Sequence, residues 1–255
     1  MNDVDRLEKK LLNDMGRAIA DFELIAPGDK VMVAISGGKD SYTLLHLLRM
    51  MQERAPIDFS MLVVNLDQGH PGYPRAMLEE WLSKERYEYR ILSHDTYSIV
   101  QEKTQAGQTQ CALCSRLRRG ILYNAAVEFG CNKIALGHHR DDLIHTLLLN
   151  MFFSGTMGSM PPKLASDDGR NTVIRPLAYA AEADIARYAQ EVGFPIIPCN
   201  LCGSQENLKR QRVKALVDDL SKEIPNVRNS LLSSMTNLHT THLLDRTVSR
   251  QGAPR

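Results

Sequence analysis

Three groups of residues in this chain have types and spacings that could do chemistry. The first is Ser36-Gly37-Gly38-Lys39-Asp40-Ser41. A glycine pair lets backbone N–H groups close around an anion, and a helix starting there adds its positive end while Lys39 adds a mobile charge. Such a loop can hold a phosphate chain; it can also be no more than a tight strand–helix turn. The second group is Gly137-His138-His139-Arg140-Asp141-Asp142. Two acids in the first turn of a helix can cap it. Beside a nucleotide loop, a carboxylate there can instead hold Mg²⁺ against phosphates or orient an attacking group. The third group is two C-x-x-C pairs, Cys111-Ala112-Leu113-Cys114 and Cys199-Asn200-Leu201-Cys202. Four thiolates of this kind can bind structural zinc, hold an iron–sulfur cluster or carry persulfide sulfur, and spacing alone favours zinc.

Positioning these groups requires an alternating set of strands and helices. The apolar run 31–35 reads as a buried strand, and residues 42–51 repeat apolar side chains at helical spacing. Further strands are expected over 59–66, 87–92, 132–136 and 172–175. Helices are expected near 5–24, 77–86, 143–151, 182–192 and 206–220, and one running from the first cysteine pair to about 129. Residues 155–169 read as a Gly- and Pro-rich loop. Alternation of this kind implies a parallel sheet with helices on both faces, and ligands bind such sheets at the carboxyl ends of the strands. The loop at 36–41, Asp67 and residues 137–142 each follow a strand, so they are expected to line one crevice.

Composition narrows the class. The chain has 255 residues, 43% apolar and 24% charged, with a formal net charge of +1. Those proportions suit a globular protein with a substantial core. The charged start and the lack of a long apolar run argue for a cytoplasmic protein with no membrane partner. A net charge near zero leaves any RNA contact to local patches: Arg116, Arg118 and Arg119, then Lys209, Arg210, Arg212 and Lys214, then the tail from Thr241. Five cysteines in such a chain point to metal or redox chemistry, and Cys131 reads as a small buried hydrophobe. Three parts are expected: an N-terminal helix over 1–25 packed on the main body, a nucleotide-binding domain over 26–240, and a flexible tail over 241–255.

The loop is not a Walker A motif, because Val33 stands where its first glycine belongs and Asp40 follows the lysine. It resembles the PP-loop of the ATP pyrophosphatases, which cut ATP between the α and β phosphates. Adding Cys111-x-x-Cys114, Gly-His-x-x-Asp-Asp, Gly158-x-Met160-Pro161-Pro162-Lys163, Ile174-Arg175-Pro176-Leu177 and Pro198-Cys199-Asn200-Leu201-Cys202 sharpens this. The chain is then similar to the PP-loop tRNA thiolation enzymes over about residues 6–212.

The resemblance implies an adenine nucleotide alpha-hydrolase-like, three-layer α/β fold. It implies a [4Fe-4S] cluster held by Cys111, Cys114 and Cys202, with one iron left open to bind sulfide, and Cys199 as a neighbour. It implies ATP at Ser36, Gly37, Gly38, Lys39, Asp40, Ser41, Gly137 and His138, catalytic roles for Asp40, Arg118, Asp141 and Asp142, and Mg²⁺ held by Asp40 and Asp141 or Asp142. The reaction would adenylate the C2 oxygen of cytidine 32 in a tRNA anticodon loop and replace it with sulfur. A cysteine desulfurase donor and a homodimer are implied as partners. A zinc-stabilised adenylating enzyme that transfers ammonia or lysine to tRNA is the alternative.

Overall fold

The computed structural model describes residues 3–103, 110–197 and 207–244, with the side chains of 110–112 and 207 excepted. Its centre is a six-stranded sheet. In chain order the strands are β1 (Lys30–Ile35), β2 (Ser60–Asp67), β3 (Tyr89–Ser93), β4 (Lys133–Ala135), β5 (Lys163–Ala165) and β6 (Thr172–Ile174). They lie side by side as β3-β2-β1-β4-β6-β5. All neighbours are parallel except β5, which runs antiparallel to β6 at the edge. The sheet therefore departs from the all-parallel expectation by one edge strand inside the loop at 155–169. All three β5 residues are exposed, so no alternation of buried and exposed side chains marks it in the sequence.

Side-chain alternation along the central strands builds two apolar layers. Val31, Val33 and Ile35 of β1 join the core on one face, while Met32 joins the core on the other. The first face carries α1 (Asp3–Asp21), α2 (Lys39–Arg54) and α7 (Glu182–Val192). Leu11, Met15 and Ala18 of α1, spaced at one helical stripe, are fully buried against this layer. The opposite face takes Ala125 and Ala126 of α5 (Gln110–Glu128) with Cys131, which is buried as a small apolar side chain.

Helices α3 (Arg75–Lys84) and α6 (Arg140–Ser154) follow strands as expected. Helix α4 (Thr96–Lys103) was not expected; it buries only Thr96 and Val100, too little to give a stripe. After α7 come α8 (Asn207–Glu223) and α9 (Val227–Ser234), which pack on α6. Val213 and Val217 of α8 meet Ile144 and Leu148 of α6. The expected C-terminal tail lies outside the described residues from position 245. No helix among the described residues is long and apolar enough to cross a membrane.

Candidate active site

The chain leaves β1 and turns through Gly37 at a φ of +84°, a left-handed value that suits glycine. A Cβ at Gly37 would also clash with the Ile197 side chain. The Ile197 amide donates to the Gly37 carbonyl at 2.9 Å. Ile197 is the last described residue before the second cysteine pair. Ser41 Oγ donates to the Gly38 carbonyl at 2.9 Å and accepts from the Ser36 amide at 3.2 Å, which fixes the turn. Helix α2 starts at Lys39 behind Gly38 with no side-chain cap. Its first amides are thus available to an outside acceptor.

Lys39 Nζ lies 2.9 Å from Asp40 Oδ1 and 3.4 Å from Glu182 Oε1. Burial works against this charge, but hydrogen bonds and attraction from the two carboxylates outweigh it and hold the ammonium above its ordinary range. Glu182, the first residue of α7, also binds Lys214 Nζ at 2.7 Å through its other oxygen. Burial pushes its carboxyl up, and Lys214 and then Lys39 pull it further down, below the usual carboxylate range.

The end of β4 meets this loop backbone to backbone. A Cβ at Gly137 would sit 3.0 Å from the Asp40 carbonyl carbon, so the close approach needs glycine. His139 caps α6: its Nδ1 accepts from the Asp142 amide at 3.4 Å, and Asp142 Oδ2 accepts from the His139 amide at 3.2 Å. The His139 Nε2 atom lies 3.4 Å from Asp142 Oδ2 and 3.7 Å from Asp40 Oδ1, joining the two strand ends. His138 turns to β6 instead and accepts from Arg175 Nε at 3.2 Å. Burial, then the Arg175 charge, lowers its pKa to about 4, so the ring is neutral near pH 7.

The two neighbouring acids have different surroundings. Asp142 lines a crevice of about 210 Å³ together with Lys39, Asp40, His139, His145, Glu182, Arg210, Gln211 and Lys214. Asp141 is only 5% exposed and does not line it. Its Oδ1 accepts from Arg228 Nε of α9 at 3.0 Å, and its Oδ2 accepts from the Glu182 amide at 2.8 Å. Asp141 therefore fastens α6 to the start of α7 and to α9. Asp141→Ala leaves the Glu182 amide without its acceptor and takes one of two carboxylates from Arg228, which keeps Asp218, so it is expected to cost about 2 kcal/mol of folding stability. Asp142→Ala should cost about 1 kcal/mol as a lost cap while impairing the crevice. Urea midpoints of the two variants measure this; equal midpoints would reverse the assignment.

Beside the Ser36–Ser41 loop, the β2 end forms the thiol side. Asn65 Nδ2 donates to the Ile35 carbonyl and to the Tyr73 hydroxyl, both at 2.8 Å, tying the loop after β2 to the end of β1. In that loop Gln68 Oε1 accepts from Cys114 Sγ at 3.3 Å. Cys114 and Lys39 thus stand at the carboxyl ends of adjacent strands. The Arg118 charge is felt at His70 and Tyr73 of the same loop. The backbone of Cys111 lies in the first turn of α5, three residues before Cys114. Cys199 and Cys202 lie outside the described residues. Asp67 does not line the crevice; it accepts from the Gly69 amide at 3.0 Å on the thiol side.

Comparison with known proteins identifies the family. Residues 6–216 match the PP-loop domain family. A protein named tRNA-cytidine(32) 2-sulfurtransferase from Anaeromyxobacter sp. (strain K) is 58% identical over 251 residues, covering 98% of this chain and 86% of that protein. The chain belongs to the tRNA-cytidine(32) 2-sulfurtransferase family. A further family member, from Sorangium cellulosum (strain So ce56), is 56% identical over 240 residues, 94% of this chain and 85% of that protein. Among solved structures, the U34-tRNA thiolase NcsA from Methanococcus maripaludis with its [4Fe-4S] cluster superposes with a TM-score of 0.72. It is 21% identical and covers 91% of this chain and 78% of that one, which supports the α/β PP-loop fold.

Within this family frame, the structure brings Lys39, Asp40 and Asp142 together, and sets His138, Asp141 and Arg118 apart from the crevice. Sequence reasoning missed Glu182 and His145, and took Arg210 and Lys214 for a basic patch. Arg210 and Lys214 are four apart on α8, one helical face, which was the only local signal available.

Proposed function

We propose that this chain is an ATP-dependent tRNA sulfurtransferase that converts cytidine 32 of an anticodon loop to 2-thiocytidine. The observation that carries the reading is the placement of a lysine-bearing phosphate loop and a cysteine helix at the ends of neighbouring strands. An unpaired anticodon-loop base can be splayed into such a cleft.

The C2 oxygen of cytosine is a poor leaving group. Its attack on the α-phosphate of ATP breaks the bond to the β-phosphate, and pyrophosphate leaves with the bonding electrons. Sulfur at the sulfide level then adds at C2 and AMP departs, so oxygen is exchanged for sulfur with no net redox change. Lys39 and the first amides of α2 would stabilise charge building on the phosphates. Asp40 and Asp142, joined through His139, would hold Mg²⁺. Among the described residues no group of three or more His, Cys, Asp or Glu could hold a metal ion by itself. Mg²⁺ needs only one or two carboxylates when phosphate oxygens and water complete its shell, so the pair fits. His139, between both carboxylates, would keep them in place, and Arg118 would stabilise charge on the base side.

Thiolate donors would also fit the thiol side, where Cys114 meets Gln68 and Cys111 precedes it by three residues in α5. With Cys202 they would hold a [4Fe-4S] cluster, which supplies an iron with no protein ligand as the point of sulfur delivery. A cysteine desulfurase as sulfur source, with a thiol reductant bringing its persulfide sulfur to the sulfide level, a homodimeric assembly and a cytoplasmic setting complete the reading.

The test is direct. Anaerobically prepared protein is incubated with ATP, Mg²⁺, a sulfur source and unmodified tRNA, and nucleosides are analysed by mass spectrometry. The expected result is 2-thiocytidine at position 32 with one pyrophosphate released per modification. A colourless zinc protein that adenylates tRNA without inserting sulfur would overturn the assignment.

A further inference from the structure

The crevice has a second wall that the phosphate loop does not explain. His145 of α6 is 5% exposed, lines the crevice, and has an Nε2 with no hydrogen-bond partner. A buried polar atom left unpaired costs on the order of 1–3 kcal/mol, so it marks a place where a partner is missing. Across from Lys39, α8 contributes Arg210, Gln211 and Lys214 to the same lining. The two lysines stand on either side of one carboxylate: Glu182 Oε1 is 3.4 Å from Lys39 Nζ, and Oε2 is 2.7 Å from Lys214 Nζ. The backbone of Glu182 is held by Asp141, which leaves the side chain to move alone.

We propose that His145, Arg210 and Lys214 form a pyrophosphate-binding wall facing the phosphate loop, with Glu182 as the anion that occupies it until phosphates enter. The inference deepens the ATP-dependent function proposed above and rests on it. A carboxylate shared by two ammonium groups occupies the position of a bridging phosphate oxygen. When the β- and γ-phosphates arrive, they replace Glu182 as the shared partner of Lys39 and Lys214. His145 then donates from Nε2 to a phosphate oxygen. The lining holds three basic side chains against the three carboxylates Asp40, Asp142 and Glu182. Swinging Glu182 away shifts that balance towards the charge of the leaving group.

The experiment uses the full-length, anaerobically prepared protein with Mg²⁺ and measures equilibrium binding of ATP, inorganic pyrophosphate and AMP. Lys214→Ala and His145→Leu should weaken pyrophosphate and ATP about tenfold each, the scale of one charge-assisted hydrogen bond, and leave AMP within about twofold. His145→Gln, which keeps a donor, should bind close to wild type. Glu182→Gln removes the competing charge and should tighten pyrophosphate binding. Unchanged pyrophosphate affinity in Lys214→Ala and Glu182→Gln, with wild type binding normally, overturns the wall. Equal losses for AMP and pyrophosphate overturn it too. A wild-type protein that binds neither ATP nor pyrophosphate instead overturns the ATP-dependent function itself. Unfolding midpoints of each variant separate lost contacts from lost fold.

Discussion

Lys39→Ala is expected to abolish thiolation while leaving the fold and the iron content unchanged. Lys39 is the one ammonium in the loop after β1, and it borders the uncapped start of α2. Removing a donor aimed at developing transition-state charge typically lowers kcat by about 10²–10³-fold. Here the lost group also carries a full charge, so the upper end is expected. The cost to stability should be small, because its ion pairs are part-exposed and Glu182 keeps Lys214 as a partner. Lys39→Arg should recover little, since a planar fork cannot occupy the point position of an ammonium between Asp40 and Glu182. Single-turnover thiolation with iron analysis on the same samples decides the matter. A rate within tenfold of wild type would remove the phosphate-loop role.

Cys114→Ala is expected to lose both the visible absorption of an iron–sulfur centre and the activity. Even partners behind a metal ligand change affinity or activity by about 10–100-fold, and a ligand itself should do more. Cys114 meets Gln68 in the loop tied by Asn65 to the end of β1, so the thiol belongs to the same sheet edge as Lys39. Replacing it removes a donor without disturbing a core cluster, since Cys131 is the cysteine packed among apolar side chains. Cys199→Ala is expected to keep colour and activity. Iron and sulfide assays on the two variants check this. Full iron in Cys114→Ala, or loss in Cys199→Ala, would contradict the proposed ligand set.

Where local pattern and tertiary demand agree, the structure follows the sequence closely. The strand before Ser36, the loop and α2 fall where expected because an apolar run, paired glycines and a helical stripe coincide. Helix α7 spans the expected residues because Ile185, Tyr188 and Ala189 all face the core. Helix α9 escaped notice since it buries only Val227. The crevice was legible in the glycine–lysine loop and in the Asp141-Asp142 pair, though not in which of the two acids lines it. It was not legible in Glu182 or His145, which line the crevice only because α7 and α6 come together with α8 far along the chain. Nor could spacing separate Asp141 from Asp142; only their partners, Arg228 and the Glu182 amide against His139, do so.

The contact between Ile197 and Gly37 also governs how the turn can move. The Ile197 amide holds the Gly37 carbonyl, and its side chain lies where a Cβ at Gly37 would fall. Any rearrangement of the turn must therefore carry Ile197 with it, and exchange protection of the Ile197 amide would report that movement from outside the crevice.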